Sequence, residues 1–200
     1  GEALADVVEW REWHNLLARR DLAAHAQGSA PSLESVGAAE APADVVAYWR
    51  WNGHLVRYLK WEGSDDASTK KPPPLLFVHG FAASSDQFAR CVHELRAQSS
   101  ASGTPMPDCW ALDLLGFGHT ESPCVSYTQH LWEAQVVDFS LEVVRSACGL
   151  NLIGNSIGGG IAAGAAANLG CLCKGLVLCN TAGVLNDPSE VAESSVAPPP

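Results

Sequence analysis

The sequence contains no uninterrupted apolar run near the roughly 20 residues that crossing a bilayer requires. The small-residue stretch after Ser156 comes nearest, and glycine and asparagine interrupt it, so no membrane span is expected. A basic block is missing too: 12 Lys and Arg stand against 22 Asp and Glu, a formal net charge of −10 without a long acidic run. That balance excludes the electrostatic footprint of a nucleic-acid binder and points to a soluble, mildly repelling surface. The opening stretch Glu2 to Glu9 is acidic, with no basic region leading into an apolar segment. Any signal or transit peptide is therefore expected to lie outside this chain or to be absent. No Cys or His pair stands at metal-ligand spacing, which leaves zinc without a site, and there are no internal repeats. The cysteines number seven, an odd count, and Cys109, Cys148 and Cys179 lie in or beside apolar stretches. They read as reduced thiols, mostly buried, in a reducing compartment. Cys171-Leu172-Cys173 has the two-residue period of a strand.

What is present suffices for one domain. Two hundred residues with 47% hydrophobic content are expected to bury roughly 70% of the surface exposed by the unfolded chain. Residues 1–26 read as an amphipathic helix, running from Asp6, which can cap it, to about His25 and bearing Val7, Trp10, Trp13, Leu16 and Leu17 on one side. Its tryptophans suit anchoring onto a neighbouring surface, so docking with or fusion to another domain through residues 6–25 is a candidate partnership. Residues 27–44 turn to Ala, Ser, Pro, Gly and Glu, the composition of a flexible linker.

Val45–Trp51 and His54–Trp61 are rich in Val, Tyr and Trp, and the Asn52-Gly53 between them predicts an antiparallel hairpin. After a polar loop, Leu75–Val78 is a continuous apolar run that suits a strand buried on both faces. A helix from Asp86 to about Ala97 follows, with Ser84 or Ser85 as its cap. Then come a strand within Cys109–Leu114, a long helix over Tyr127–Ala147, a strand at Leu150–Ile153, a helix over Ile157–Leu169 and a strand at Gly175–Cys179. Alternating strands and helices predict an α/β fold, a mostly parallel sheet with helices on both faces, and sites form beyond the carboxyl ends of such strands. Residues 186–200 read as a poorly ordered tail.

Gly154-Asn155-Ser156-Ile157-Gly158 lies where the strand ending at Ile153 gives way to the helix. Gly-x-Ser-x-Gly between strand and helix is the context of a nucleophile elbow. Gly154 and Gly158 keep side chains out of the places where strand and helix nearly touch, and the turn lifts the Ser156 hydroxyl clear of the sheet. It also aims the N–H of Ile157 at the same point in space, where an oxyanion would be stabilised.

Two further stretches converge on those strand ends. In His79-Gly80-Phe81 the glycine lets the backbone turn so that the Phe81 N–H faces the elbow as a second oxyanion donor. His79 reads as a brace for this loop rather than as a general base. Asp113 opens the glycine-hinged loop Asp113 to Pro123 and reads as a loop brace rather than as a catalytic acid, and His119 is expected to be exposed. Asn155 stands beside Ser156; orienting a substrate carbonyl and bonding a neighbouring loop are equal readings of it.

On these motifs, Val45 to about Val184 resembles the first half of the α/β-hydrolase fold, in the family's order and spacing, with Thr120 where a serine is usual. Trp49-Arg50-Trp51-Asn52-Gly53, Val78-His79-Gly80-Phe81, Leu114-Leu115-Gly116-Phe117-Gly118, Gly154 to Gly159 and Asn180-Thr181-Ala182-Gly183 are similar to plant and algal plastid hydrolases. These are the relatives of pheophytinase and chlorophyll dephytylase, and above all the hydrolase domain fused behind a photolyase- or cryptochrome-like domain. The resemblance implies a partial hydrolase domain over 45–185 and a serine hydrolase acting on an ester or similar acyl or carbonyl substrate. It further implies a lipophilic ester such as a phytyl ester as a candidate, no metal or organic cofactor, and a chloroplast location.

The family order is nucleophile, acid, histidine. All seven histidines here, at 14, 25, 54, 79, 93, 119 and 130, precede Ser156. Asp187 is the only aspartate beyond it and is a candidate acid, although the commoner acid position would lie past Pro200. The expectation is a truncated fold whose histidine, acid and lid lie outside this chain, which alone would be inactive. A hydrolase fold without its triad, serving as a binding or regulatory module, is the alternative.

Overall fold

The computed structural model describes residues 42–64 and 71–182. The helix expected over 1–26, most of the linker, and the tail from 186 with its candidate Asp187 lie outside the described residues. At the linker's end, the Asp44 carboxylate accepts from the Glu62 N–H at 2.7 Å and from Arg96 at 2.7 Å.

Among the described residues, six strands form one sheet in the order β1-β2-β4-β3-β5-β6. β1 (Val45–Trp51) and β2 (His54–Trp61) pair antiparallel and close on the Trp51–His54 pair. Asn52 (φ 48°) and Gly53 (φ 87°) make the connection, both at the positive φ that a tight right-twisted hairpin requires. β2 is antiparallel to β4 (Cys109–Leu112), whereas β3 (Leu75–Val78) runs parallel to both β4 and β5 (Leu150–Asn155). β6 (Cys173–Cys179) joins β5 in parallel.

Helices cover both faces of the sheet, as the alternation predicts. Leu76, Val78, Leu112 and Leu152 point to one face and pack with Val136 and Phe139 of α2 (Gln129–Phe139) and with Ile161, Ala162 and Ala165 of α3 (Ile157–Leu169). Phe77, Cys109 and Ala111 point the other way and meet Val92 of α1 (Ala89–Ser102), with Phe88 and Met106 beside it. β3 is buried on both sides, which is why it reads as an unbroken apolar run. The hairpin is pinned to the end of α2: the Trp51 indole donates to Asp138 at 2.8 Å and the Trp49 indole to Glu142 at 3.1 Å.

Element ends differ from expectation where side chains compete for the backbone. Ser85–Phe88 forms a 3-10 turn rather than the first turn of the helix, because Ser85 and Asp86 are held from outside by Arg57 and Asp113. α1 then continues past Ala97 to Ser102, where Gly103 at φ 68° ends it. α2 starts at its Thr128 cap, whose Oγ1 accepts from the Leu131 N–H at 3.2 Å. It gives way at Ser140, whose hydroxyl bonds the Val136 carbonyl at 2.7 Å, to a π turn over Ser140–Val144. β6 begins at Cys173, two residues before the expected Gly175, and the preceding Gly170–Leu172 is a 3-10 turn, so the two-residue period of Cys171-Leu172-Cys173 is not a strand's.

Candidate active site

Ser156 stands between the last residue of β5 and the first of α3 at φ 56°, ψ −123°, a conformation that side chains other than glycine's strain to adopt. Three backbone bonds hold it there. Its N–H donates to the Cys179 carbonyl, and its carbonyl accepts from the Gly159 and Ala182 N–H groups, each at 3.0 Å. The turn is tight enough that a Cβ on Gly154 would meet the Gly158 carbonyl, and one on Gly158 would run into the Val78 and His79 carbonyls. These two glycines let helix, strand and neighbouring loop approach one another.

The loop after β3 lies against this turn. A Cβ on Gly80 would come within 3.1 Å of the Ser156 Cβ and 3.1 Å of the Asn155 Oδ1. Among the described residues, neither the Phe81 N–H nor the Ile157 N–H donates to a carbonyl; at Ile157 this follows from its place at the start of the helix. The Phe81 side chain is 71% exposed and meets Phe117 edge to face at 5.5 Å between centroids. Phe117 also touches His79 and Trp132, so an aromatic row borders the loop.

His79 is fully buried. Its Nε2 accepts from the Leu114 N–H at 3.0 Å, which leaves the proton on Nδ1, 2.8 Å from the Gly80 carbonyl. Burial pushes its pKa below the usual histidine range, although the Gly80 bond and the Asp113 charge pull the other way. Both ring nitrogens are thus committed to the two loops. The other described histidines lie beside acidic side chains: His54 by Glu121, His93 by Glu94, His119 by Asp86 and His130 by Glu133.

Asp113 is buried at the end of β4 and ties three segments together. Its Oδ1 accepts from the Ser85 N–H at 2.6 Å and its Oδ2 from the His119 N–H at 2.7 Å. Arg57 approaches Oδ2 at 3.5 Å. Among the described residues no group of His, Cys, Asp and Glu side chains is arranged to hold a metal ion.

Residues 75–200, more than half of the chain, match the sequence model of the alpha/beta hydrolase family. The chain belongs to that family. Among solved alpha/beta-hydrolase neighbours, a membrane phospholipase A described as a bacterial virulence factor is 30% identical. The match covers 88% of this chain and 53% of that one, at a TM-score of 0.60. A serine hydrolase involved in carbazole degradation is 28% identical over 70% of this chain and 49% of its own, at 0.55. The thioesterase domain from the curacin biosynthetic pathway, 20% identical over 75% and 51%, shares the fold at 0.58. The chain spans about half the length of these structures. No curated protein matches the sequence.

Sequence reasoning passed over one residue that the structure places among these loops. Arg57, in the middle of β2, reaches Ser85, Asp86 and Asp113 with its side chain. Its position in an apolar strand was the available signal, since a cation buried there needs a carboxylate nearby.

Proposed function

We propose that the protein carrying this chain is a serine hydrolase that cleaves an ester or related acyl or carbonyl substrate. The observation that carries the reading is the strained Ser156 turn with Gly80 packed against it. In this mechanism the Ser156 Oγ attacks the substrate carbonyl carbon while its proton passes to a base. The tetrahedral oxyanion accepts hydrogen bonds from the Phe81 and Ile157 N–H groups, and its collapse expels the alcohol and leaves an acyl-Ser156 that water hydrolyses. One oxyanion donor of this kind is worth about 3–4 kcal/mol of barrier.

Histidine and acid come from residues beyond those described, with Asp187 as one candidate acid. The resemblance to the plastid hydrolases extends this reading to a lipophilic, phytyl-type ester and a chloroplast setting. Asn155 either orients the substrate carbonyl or braces the Gly80 loop.

A non-catalytic binding module is the second reading. It is favoured by the commitment of both His79 nitrogens to loop contacts. Labelling with a fluorophosphonate probe separates the two. The hydrolase reading expects the longest natural product containing this chain to label, and Ser156→Ala to abolish the labelling. A folded long product that stays unlabelled would leave the binding module.

A further inference from the structure

We infer that Arg57 is a positioning residue for the oxyanion loop, fixing the far end of the 79–84 segment and thereby the direction of the Phe81 N–H. The inference rests on the hydrolase reading above. The loop has few bonds of its own. Between His79 and Ser85 its internal backbone contact is the Ala83 N–H to the Gly80 carbonyl at 3.4 Å, and Ala82 sits at φ 54°. The shape of such a segment is inherited from its two ends.

The near end is held by β3 and by the two His79 bonds. The far end is held by Arg57 and Asp113. The guanidinium forks onto Asp86, Nη1 to Oδ2 at 2.9 Å and Nη2 to Oδ1 at 2.9 Å, and its Nη1 also donates to the Ser85 hydroxyl at 3.1 Å. The Ser85 N–H is taken by Asp113.

The arginine backbone is bound as firmly, its N–H to the Thr120 hydroxyl at 2.9 Å and its carbonyl to the Asp113 N–H at 2.9 Å. Arg57 therefore joins the Asp113 loop to the Ser85 end of the oxyanion loop. With its side chain only 11% exposed, the cation is shielded from water and its fork has a fixed direction. Both β4 and β3 lie between β2 and β5, the strand that delivers Ser156, so Arg57 acts through the loop rather than on substrate.

Lysine keeps the charge but cannot make the fork, so Arg57→Lys is the informative variant and Arg57→Met the stronger one. In the full-length protein, two readouts apply: amide hydrogen exchange across the domain, and steady-state hydrolysis of p-nitrophenyl butyrate. Arg57→Lys is expected to speed exchange of the bonded Ala83 and Ser85 amides by about tenfold while β3, β5 and α3 stay unchanged. The kcat should fall by about tenfold or more with KM held within about twofold, because a misdirected donor costs the transition state and not the bound ester.

Unchanged loop exchange, or a kcat within about twofold of wild type in both variants, overturns the inference. So does a uniform rise in exchange across all elements, which would make Arg57 a stability residue only. A wild type that neither labels nor turns over sinks the hydrolase reading and the oxyanion role with it. The exchange pattern then decides by itself whether Arg57 holds the loop.

Discussion

At Ser156 the backbone occupies a region that is essentially glycine's own. Strain there is of order 1–3 kcal/mol, whereas glycine gives back about 0.4–1 kcal/mol through the freedom it adds to the unfolded chain. The strain is the larger quantity. Ser156→Gly is therefore expected to be more stable than Ser156→Ala by about 1 kcal/mol, read as a higher denaturant midpoint at unchanged slope. Equal midpoints would show a relaxed turn. Gly158→Ala moves the other way, because its new methyl would meet the Val78 and His79 carbonyls. A loss of about 1–3 kcal/mol in the same titration is expected. The elbow was legible in the sequence because its pattern lies within five residues, Gly154 to Gly158, although the bonds that fix Ser156 from Cys179 and Ala182 come from farther along the chain. Arg57 was not, since its partners Ser85, Asp86 and Asp113 stand 28, 29 and 56 residues away and only the folded sheet brings them together.

Between elements, the His79 bridge from β3 to the loop after β4 makes stability depend on pH. Burial disfavours the charged ring and lowers its pKa, and the neutral ring is the one whose Nε2 can accept from the Leu114 N–H. The unfolded chain takes up a proton as pH drops through about 6.5 while the folded chain does not. This contribution is complete above that value and is lost as pH falls through the lowered folded pKa. Denaturant midpoints should decline from pH 7.5 to 5.5, and His79→Asn, less stable at pH 7.5, should show a flatter decline; parallel declines would place the titration elsewhere. The hairpin and all six strands could be located in advance because strand pattern and the Asn52-Gly53 turn are local signals. The ends of α3 fell where expected, at Ile157 and Leu169, but those of α1 and α2 did not. The departure of α2 from α geometry at Ser140 adjoins Glu142, bonded by a tryptophan 93 residues earlier, and the delayed start of α1 reflects Arg57 and Asp113 gripping Ser85 and Asp86.

For the molecule as a whole, β6 is the exposed flank. Among the described residues it pairs with β5 alone, and Leu176, Val177 and Leu178 are 39%, 52% and 46% exposed. An apolar strand with an unpaired edge is a template for a second chain. Opposing it is the net charge of −10, whose repulsion reaches about 30 Å at 0.01 M salt but only about 8 Å at 0.15 M. Edge pairing acts at contact and is insensitive to that screening. The 200-residue chain is therefore expected to be largely monomeric at low salt and to self-associate as salt rises, followed by light scattering behind size exclusion. Val177→Lys discriminates the cause. It reduces the net negative charge, which by repulsion alone would promote association, yet it places a charge on the edge strand and blocks pairing. Suppressed association in this variant would assign the contact to β6, whereas increased association would make net charge the controlling term and leave the edge without a role.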